Sequence, residues 1–560
     1  EESSKIYINL LGICKTPNSF IFCLKKLLSH FHLPHHKTHF LSSPPLLFPK
    51  IHCLYKKINS LSFRQSNGRK LKMSSHRSFL FFFTIFILAS HSSVTSRILP
   101  EVSVTTSSIL DVADSIRRTK DASSFRLNQQ EEQSHSPSSS SSSSFSLQLH
   151  SRASVRGVEH PDYKSLTLAR LDRDSARVKS LMTRLDLAIN NISKADLKPI
   201  ATMYTTEEEI EAPLISGTTQ GSGEYFTRLG IGNPAREVYM VLDTGSDVNW
   251  LQCAPCAECY HQTEPIFDPS SSSSYAPLSC DTQQCRALEV SQCRNATCLY
   301  EVSYGDGSYT VGDFATETLT IGSTSVQNVA IGCGHSNEGL FVGAAGLLGL
   351  GGGLLALPSQ LNTTTFSYCL VDRDSDSVST VEFGSALPRD AVVAPLLRNH
   401  QLDTFYYLGL TGISVGGEML QIPMSSFEMD ESGNGGIIID SGTAVTRLQT
   451  GIYNALRDAF VKGTTDLELA SGVAMFDTCY NLAAKTTIEV PTVAFHFPGG
   501  KMLALPAKNY MIPVDSVGTF CLAFAPTASS LAIIGNVQQQ GTRVAFDLAN
   551  SLIGFSTNNC

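Results

Sequence analysis

Two stretches of the sequence decide the fold, EVYMVLDTGSDVN at Glu237–Asn249 and GIIIDSGTAVTR at Gly436–Arg447. Each runs from an apolar strand into Asp-(Ser/Thr)-Gly. Each is followed about 100 residues later by an apolar pair ending in glycine, Leu347-Leu348-Gly349 in the first case and Ile533-Ile534-Gly535 in the second. Two copies of one layout predict two similar lobes joined near residues 385–400.

The sequence from Gly221 onward is typical of an all-β protein. Short segments rich in β-branched and aromatic residues alternate with turns that contain Gly, Asn or Ser. Helical periodicity is sparse in this region, and Thr450–Phe460 is its clearest case. The predicted strands are Tyr225–Ile231, Glu237–Leu242, Thr316–Ile321, Tyr406–Val415 and Gly436–Ile439.

Asp243 and Asp440 end the two repeated strands, and their pairing would allow a specific chemistry. Two carboxyl groups about 3 Å apart cannot both ionise cheaply, so they share one proton. The ionised partner can take a proton from a water molecule, while the protonated partner donates to a carbonyl oxygen that is becoming tetrahedral. Asp243 and Asp440 are therefore the predicted catalytic residues of a peptide hydrolase that needs no metal and no organic cofactor.

The residues that follow each aspartate suit this task. Gly245 and Gly442 let the backbone turn sharply and bring N–H groups close to the carboxylates. A single Asp-(Ser/Thr)-Gly is weak evidence because it often occurs by chance, and an Asp-capped turn is its alternative interpretation. Two copies in the same setting favour the catalytic interpretation. Four hydroxyl groups are expected to donate to the carboxylates or brace the turns, those of Thr244, Ser246, Ser441 and Thr443.

With both motifs present, the chain resembles the pepsin-like aspartic proteases over about residues 222–560. The resemblance implies an all-β fold of two lobes related by a pseudo-twofold axis, with few short helices and a cleft between the lobes. Tyr304-Gly305-Asp306-Gly307-Ser308 looks like the family's flap hairpin, with Tyr304 closing over the substrate. Trp250, the only tryptophan, stands where the family usually has the Trp that hydrogen-bonds the flap Tyr. An extended peptide bound through its backbone, with broad specificity set by apolar pockets, is the expected substrate.

Twelve of the 15 cysteines lie between Cys253 and Cys560, which suggests a disulfide framework formed in an oxidising compartment. The CxxCxxC at Cys253, Cys256 and Cys259 would also suit zinc, but no matching His pair or second CxxC follows it, so no metal is predicted. The sequence by itself leaves the pairing of these cysteines open.

The Cys-rich insert after Trp250 resembles that of the nepenthesin-type and other atypical plant aspartic proteases, and within this group the chain is most similar to the guard-cell type. These relatives carry six disulfides and lack the saposin-like plant insert, which is also absent from this sequence. The disulfides implied by the resemblance are Cys253–Cys256, Cys259–Cys333, Cys280–Cys298, Cys285–Cys293, Cys369–Cys560 and Cys479–Cys521.

The chain before the two lobes divides into three parts. Residues 1–72 carry a net charge of +10 and are predicted to be upstream sequence foreign to the native protein; a real N-terminal extension is the alternative. Residues 73–96 read as a signal peptide, because a charged start precedes the apolar run Phe79–Ala89 and small residues follow it. Residues 97–216 are predicted to be a propeptide that covers the cleft until it is removed. The catalytic lobes are then expected at 217–390 and 391–560.

The predicted propeptide contains a serine run, Ser138–Ser144, which cannot build a core. It also contains an amphipathic helix, Leu166–Ile189. The apolar face is expected to hold Leu171, Val178, Leu181, Leu185 and Ile189. The charged residues expected elsewhere on the helix are Asp172, Arg173, Arg177, Lys179 and Arg184.

Charge and sequence signals also bound the partners and the compartment. Residues 221–560 carry a net charge of −18, which argues against a nucleic-acid-binding surface. The expected partners are protein or peptide substrates and the chain's own propeptide, and the mature form is expected to be a monomer without a stable membrane span. A secretory-route protein of the endoplasmic reticulum, vacuole or cell exterior is predicted, with N-glycosylation at the mature-region sequons Asn295 and Asn362.

Three functions compete for this sequence. The favoured one is an aspartic-type endopeptidase made as a secretory-route zymogen, because both aspartates, their hydroxyl neighbours and Tyr304 are all present. The second is a catalytically silent inhibitor or binding protein on the same fold, as in plant xylanase inhibitors. The third is a chloroplast nucleoid protease that also binds DNA, which the acidic charge and the Phe79–Ala89 run disfavour.

Overall fold

The computed structural model describes residues 106–122, 145–152, 160–190, 225–304, 308–339, 341, 343–372, 374, 378–557 and 560. All of them belong to one unit, Val102–Cys560. The predicted upstream sequence, the signal peptide and the serine run lie outside the described residues. The same is true of residues 305–307 in the predicted flap.

Four elements precede the two lobes: β1 (Ser107–Asp111), α1 (Val112–Ala122), β2 (Phe145–Ser151) and α2 (Tyr163–Ile189). Helix α2 confirms the predicted amphipathic helix and begins three residues earlier than expected. Asp162 caps its first turn, because the Asp162 side chain accepts a hydrogen bond from the backbone N–H of Ser165.

The N-terminal lobe is built from short strands and two single-turn α-helices, α3 (Gln283–Arg286) and α4 (Leu357–Gln360), with a 3₁₀ turn at Pro269–Ser271. Its strands are β3 (Tyr225–Ile231), β4 (Arg236–Asp243), β5 (Trp250–Gln252), β6 (Ala276–Pro277), β7 (Ser291–Arg294), β8 (Thr297–Ser303), β9 (Tyr309–Ile321), β10 (Thr324–Glu338), β11 (Gly346–Gly349), β12 (Thr365–Cys369) and β13 (Ser379–Phe383).

The C-terminal lobe adds the helices α5 (Thr450–Lys462) and α6 (Asn536–Gln539), with 3₁₀ turns at Met424–Phe427, Pro498–Gly500 and Ala507–Asn509. Its strands are β14 (Val392–Leu397), β15 (Tyr406–Leu408), β16 (Gly412–Val415), β17 (Glu418–Met419), β18 (Ile437–Ile439), β19 (Thr446–Gln449), β20 (Leu469–Ala470), β21 (Cys479–Asn481), β22 (Thr487–Pro491), β23 (Val493–Phe497), β24 (Lys501–Ala504), β25 (Met511–Pro513), β26 (Thr519–Leu522), β27 (Phe524–Thr527), β28 (Ala532–Ile534), β29 (Arg543–Asp547) and β30 (Leu552–Ser556).

The all-β, two-lobed expectation is confirmed, and four of the five predicted strands have the expected type and place. The exception is Tyr406–Val415, which is divided into β15 and β16. The N–H of Leu410 bonds the carbonyl of Leu408 there, so the chain turns at Gly409 between the two strands. The predicted helix at Thr450 is also present and extends to Lys462.

A shared sheet connects the two lobes and includes a strand from before them. Its pairings run β3–β2–β13–β12–β29–β30–β14, so that β29 and β30 from the end of the chain lie beside strands of the N-terminal lobe. Strand β2 lies between β3 and β13, with Leu149 opposite Thr227 on one side and Ser379 on the other. Strand β1 pairs with the C-terminal lobe through β22.

The structure forms six disulfides among the cysteines from Cys253 to Cys560. The expected bridges Cys369–Cys560 and Cys479–Cys521 are present. The other four expected pairings are wrong. The structure pairs Cys253–Cys333, Cys256–Cys259, Cys280–Cys293 and Cys285–Cys298.

Strand register explains the corrected pairings. Strand β5 runs parallel to β10 with Leu251 opposite Cys333, and the next ladder bond runs from the Cys253 N–H to the Gly334 carbonyl. This places Cys253 beside Cys333 and leaves Cys256 for Cys259. Strands β7 and β8 place Cys293 directly opposite Cys298, so each joins a cysteine 13 residues earlier instead of forming the expected nested pair. An oxidising, secretory-route compartment accounts for this density of disulfides.

Candidate active site

Asp243 is delivered by β4, the strand predicted from the first repeat. Strand β11, which carries the trailing Leu347-Leu348-Gly349, runs parallel to β4 with Gly349 beside Asp243. The N–H of Leu350 donates to the Asp243 carbonyl at 2.7 Å, which fixes the backbone at the carboxylate. The trailing motif therefore supports the end of the strand that carries Asp243.

Asp440 follows β18 in the same arrangement. Strand β28 carries the second trailing motif and runs parallel to β18, with Ile534 beside Ile439. The Asp440 N–H donates to the Ile534 carbonyl at 3.1 Å. The sequence repeat is thus a structural repeat, with each aspartate at the end of a buried strand braced by a parallel neighbour.

The two loops are joined by reciprocal hydrogen bonds between Thr244 and Ser441. The Thr244 N–H donates to Ser441 Oγ at 3.2 Å, and the Ser441 N–H donates to Thr244 Oγ1 at 2.8 Å. The two hydroxyl oxygens are themselves 3.2 Å apart. This link holds together two segments that lie 197 residues apart in the sequence.

Each carboxylate also accepts two bonds from its own loop. Asp243 accepts from the Gly245 N–H at 3.0 Å and from the Ser246 hydroxyl at 2.6 Å. Asp440 accepts from the Gly442 N–H at 3.2 Å and from the Thr443 hydroxyl at 2.6 Å. All six supporting residues predicted from the sequence therefore contact the pair or cross-link its loops.

The two glycines are required by the close approach of the loops. A Cβ atom on Gly442 would lie 2.6 Å from Asp243 Oδ1, and one on Gly245 would lie 2.9 Å from Asp440 Oδ1. Both distances are shorter than a carbon can accept, so neither position has room for a side chain. Each carboxylate consequently lies against the backbone of the opposite loop.

Asp243 and Asp440 are almost completely buried, at 1% and 0% exposure. Burial raises the pKa of the Asp243 carboxyl; the nearby Arg177 guanidinium opposes this rise in pKa, and the carboxylate of Asp440 adds to it. In an acid–base pair, one carboxyl must keep its proton at a pH above the ordinary carboxyl pKa. The two groups can then carry one proton between them.

The sequence did not predict the group that lies between the two carboxylates. Nη2 of Arg177, on helix α2, is 2.5 Å from Asp243 Oδ1 and 3.3 Å from Asp440 Oδ1. Its Nε lies 3.4 Å from Asp440 Oδ2. A single nitrogen thus reaches both acids, and the expectation that Arg177 lies away from the buried face of the helix is wrong.

Two further ion pairs hold α2 against the lobes. Asp174 accepts from Nη2 of Arg447 at 2.5 Å, from the N–H of Val445 at 3.3 Å and from the N–H of Ala444. Arg170 donates to Asp374 at 2.7 Å, near the start of the helix.

A regular spacing on α2 would have revealed this face of the helix. Three arginines follow one another at intervals of seven residues, Arg170, Arg177 and Arg184. Asp174 lies between the first two. This spacing keeps them on one side of a helix. The same side carries Leu171, Val178, Leu181 and Leu185, all buried. Ionic and apolar groups therefore share one docked face, whereas the sequence interpretation separated them.

The predicted flap residues are assembled as expected where the structure describes them. Strands β8 and β9 form a hairpin, closed by a bond from the Tyr304 N–H to the Ser308 carbonyl at 2.8 Å. Nε1 of the buried Trp250 donates to the Tyr304 hydroxyl at 2.9 Å. Gly305, also predicted to belong to the flap, lies outside the described residues.

In the described part of the chain, no group of three or more His, Cys, Asp or Glu side chains could hold a metal ion. Among the helices of that part, none is long and apolar enough to cross a membrane.

Comparison with known proteins agrees with a site of two paired carboxylates. The family models described as "Xylanase inhibitor N-terminal" and "Xylanase inhibitor C-terminal" match residues 225–385 and 405–557. "Aspartyl protease family protein 2" of Arabidopsis thaliana is 54% identical over 70% of this chain and 81% of its own length. "Protein ASPARTIC PROTEASE IN GUARD CELL 2", also of Arabidopsis thaliana, is 46% identical over 74% of this chain and 88% of its own length.

Among solved structures, "Crystal structure of edgp" matches the fold with a TM-score of 0.52 at 23% identity. The match covers 61% of this chain and 92% of the chain in that crystal structure.

The two-lobed β fold with a paired-carboxylate cleft defines an aspartic-type endopeptidase, a hydrolase of protein and peptide substrates. The chain belongs to the atypical plant family of pepsin-like aspartic proteases. The predicted resemblance to this family and to its guard-cell type is confirmed.

Proposed function

We propose that Asp243 and Asp440 are the catalytic carboxylates of this endopeptidase. The observation that carries this assignment is the single nitrogen of Arg177 within hydrogen-bonding range of both acids. A water molecule occupying that position after the guanidinium has left would contact both carboxyl groups. The ionised partner takes a proton from this water as its oxygen attacks the peptide carbonyl, and the protonated partner donates to the carbonyl oxygen. Collapse of the tetrahedral adduct breaks the C–N bond, and the amine leaves with a proton from the pair.

The surrounding contacts support this assignment. The bonds from Ser246 and Thr443 occupy the outer carboxylate oxygens, Asp243 Oδ2 and Asp440 Oδ2. The inner oxygens, Oδ1 of each aspartate, accept the N–H groups of Gly245 and Gly442 and are the ones that would contact the water. The Thr244–Ser441 link limits the separation of the two lobes at this point, so that the pair keeps its geometry. The Trp250–Tyr304 bond positions the flap over the same site.

The described form of the chain is, in our proposal, the inactive precursor. Helix α2 occupies the cleft with Arg177 on the carboxylate pair, and Arg177 is only 7% exposed. The buried pairs of Asp174 with Arg447 and of Arg170 with Asp374 hold the helix at two further places. A substrate carbonyl and the attacking water cannot occupy the site while the guanidinium is there. The helix is therefore an internal inhibitor, in agreement with the propeptide expected over residues 97–216.

Maturation requires a cut between Asn190, at the end of α2, and Tyr225, at the start of β3. The expected start of the N-terminal lobe, residue 217, falls in this interval. Because β2 pairs with β3 and β13, removal of the whole propeptide must also take this strand out of the shared sheet. The mature protein is proposed to be a monomer of two lobes, 217–390 and 391–560.

The proposed compartment is that of a secreted or vacuolar glycoprotein, with the endoplasmic reticulum as the place of synthesis. The sequons at Asn295 and Asn362 support this proposal, because both asparagines are exposed and lie in tight turns with φ of 51° and 50°. The signal peptide at 73–96 would supply the route of entry.

A direct experiment is to express Met73–Cys560 in a secreting host, purify the precursor and lower the pH. The expected result is a new N-terminus between residues 190 and 225, followed by cleavage of a denatured globular protein that pepstatin blocks. Intact precursor that already cleaves at full rate, or cleavage that a chelator abolishes and pepstatin does not, would contradict the proposal.

A further inference from the structure

A cavity of about 290 Å³ lies beside the carboxylate pair, between α2, the base of the flap and loops of both lobes. Its lining includes Gly245, Asp247, Glu289, Glu301 and Asp403. Helix α2 contributes both of the Lys or Arg side chains found among the described lining residues, Arg177 and Arg184. Once the helix has left, this part of the cleft has four acidic side chains in its lining and no basic one from the described residues of the two lobes.

Arg184 shows what this cavity binds. Nε of Arg184 donates to Glu289 Oε1 at 2.6 Å, and Nη1 donates to the Gly245 carbonyl at 3.3 Å. Nη2 lies 3.4 Å from Asp247 Oδ2, and the guanidinium carbon is 5.9 Å from the centroid of the Phe405 ring. The Arg184 side chain is only 18% exposed. Every nitrogen of this guanidinium therefore has a partner in the lobes.

Part of the acidic wall is also held by contacts within the two lobes. Asp247 accepts from the Thr404 hydroxyl at 2.5 Å and from the Gly353 N–H at 3.0 Å. Burial raises the pKa of Asp247, and Arg184 opposes that rise in pKa, so a cation in the cavity favours the ionised carboxylate. Burial alone would lower the pKa of Arg184, but the carboxylates of Glu289 and Asp247 raise it overall.

We propose that in the mature protease this cavity is a substrate subsite for a basic side chain, with arginine preferred over lysine. The preference for arginine follows from the planar guanidinium, which can meet Glu289, the Gly245 carbonyl and the Phe405 ring at the same time, whereas an ammonium is a point charge. The inference rests on the proposed function, because α2 must leave the cleft before a substrate can enter.

The helix also indicates where on the substrate this residue lies. Arg177 marks the position of the scissile bond, and Arg184 follows seven residues later, a distance of about 10 Å along a helix. An extended peptide covers the same distance in about three residues. The basic residue of a good substrate is therefore expected about three positions from the bond that is cut.

The test uses protein matured from the full chain and a series of internally quenched peptides of one parent sequence. Arginine, lysine, citrulline or leucine is placed in turn at each of the four positions on either side of the scissile bond. Citrulline is the control, because it keeps the shape of arginine and lacks its charge. Assays at about pH 5.5 keep an ordinary glutamate ionised.

At one position about three residues from the cut, the arginine peptide is expected to show kcat/KM at least about 10-fold above the citrulline peptide, since a charged hydrogen bond is lost with citrulline. Glu289→Gln should reduce this arginine-to-citrulline ratio to about two or less. Glu418→Gln removes the same charge from a residue outside the cavity lining, and should keep the full ratio.

Equal rates for arginine and citrulline at all positions, or an arginine preference that Glu289→Gln leaves intact, would overturn this inference while the protease remains active. Failure to cleave any peptide would instead overturn the proposed function, and this inference with it. If Glu289→Gln does not fold, added salt supplies the second measurement. The arginine preference of the wild-type protein should fall at about 1 M salt, because screening weakens a partly exposed ion pair. A preference that salt leaves unchanged would count against the acidic subsite.

Discussion

Nη2 of Arg177 lies 2.5 Å from Oδ1 of Asp243, although the two residues are 66 positions apart and belong to a helix and to the N-terminal lobe. The same nitrogen lies 3.3 Å from Asp440 in the other lobe. One guanidinium group therefore joins the two carboxylates, and in the proposed mechanism it occupies the place of the attacking water.

Arg177→Gln should weaken this block in the uncut precursor. The variant loses charged hydrogen bonds to buried carboxylates, each worth about 1.5–3 kcal/mol, so the helix should open about 10-fold to 100-fold more often. The initial rate on a quenched peptide, measured before any processing and checked by intact mass, should rise accordingly. Lys179→Gln changes an exposed position of the same helix and is the matched control. It should leave the initial rate unchanged. A precursor with Arg177→Gln as inactive as the wild type would show that the guanidinium is not the block.

Acid should favour release of α2. Arg177 opposes the rise that burial causes in the pKa of Asp243, because the guanidinium favours the ionised carboxylate, so protonation of Asp243 weakens their ion pair. The Arg177–Asp243 pair therefore stabilises docking at high pH, and this contribution is lost as the pH falls through the raised pKa of Asp243. Hydrogen exchange of α2 amides in the precursor should increase at a pH above the ordinary carboxyl value of about 4. Arg177→Gln should show a shallower pH dependence, and release that is independent of pH in both proteins would refute the linkage.

Tyr304→Phe should impair flap closure. The variant removes the hydroxyl that accepts from Trp250 Nε1 at 2.9 Å, a bond worth about 1 kcal/mol. We expect kcat/KM for long peptides to fall about 3-fold to 10-fold while the thermal stability stays close to that of the wild type. Tyr309→Phe tests the same change on the same hairpin, where the hydroxyl donates to Glu258, and should have little effect. An equal loss of kcat/KM in both variants would contradict a specific role of the Trp250–Tyr304 bond. It would show that any such change in the hairpin lowers activity.

Two disulfides with clearly different loop lengths should differ in their effect on stability. Cys479–Cys521 spans 42 residues, and its replacement by two alanines should lower the free energy of unfolding by about 4 kcal/mol. Cys256–Cys259 spans 3 residues, and its replacement should cost about 2 kcal/mol. Denaturant unfolding of the matured proteins provides the comparison. A larger loss from the short bridge would mean that native contacts, not chain entropy, dominate.

The sequence predicts those parts of the site that are local. Asp243 and Asp440, the two glycines and the four hydroxyls follow one another within short repeated motifs, so pattern alone identifies them. Asn249, whose side chain accepts from the Gly349 N–H and donates to the Leu355 carbonyl, was missed because its role depends on a partner 100 residues away.

Long-range pairings are the part that the sequence does not determine. The disulfides depend on which residues of β5 and β10, or of β7 and β8, lie opposite each other, and a change of register by one residue would change every partner. Arg177 was misplaced for a related reason. A charged side chain is predicted to be exposed to solvent unless its oppositely charged partners are known. The partners of Arg177 are 66 and 263 residues away in the sequence.

The catalytic role of the carboxylate pair is tested most directly by turnover of Asp243→Asn and Asp440→Asn. Each variant should carry a cleavage site for an unrelated protease between Asn190 and Tyr225, so that maturation does not depend on its own activity. With equal folding by circular dichroism, kcat on a quenched peptide should fall at least about 1,000-fold in each variant, because one amide cannot exchange the shared proton. Turnover within about 10-fold of the wild type in either variant would contradict the two-carboxylate mechanism.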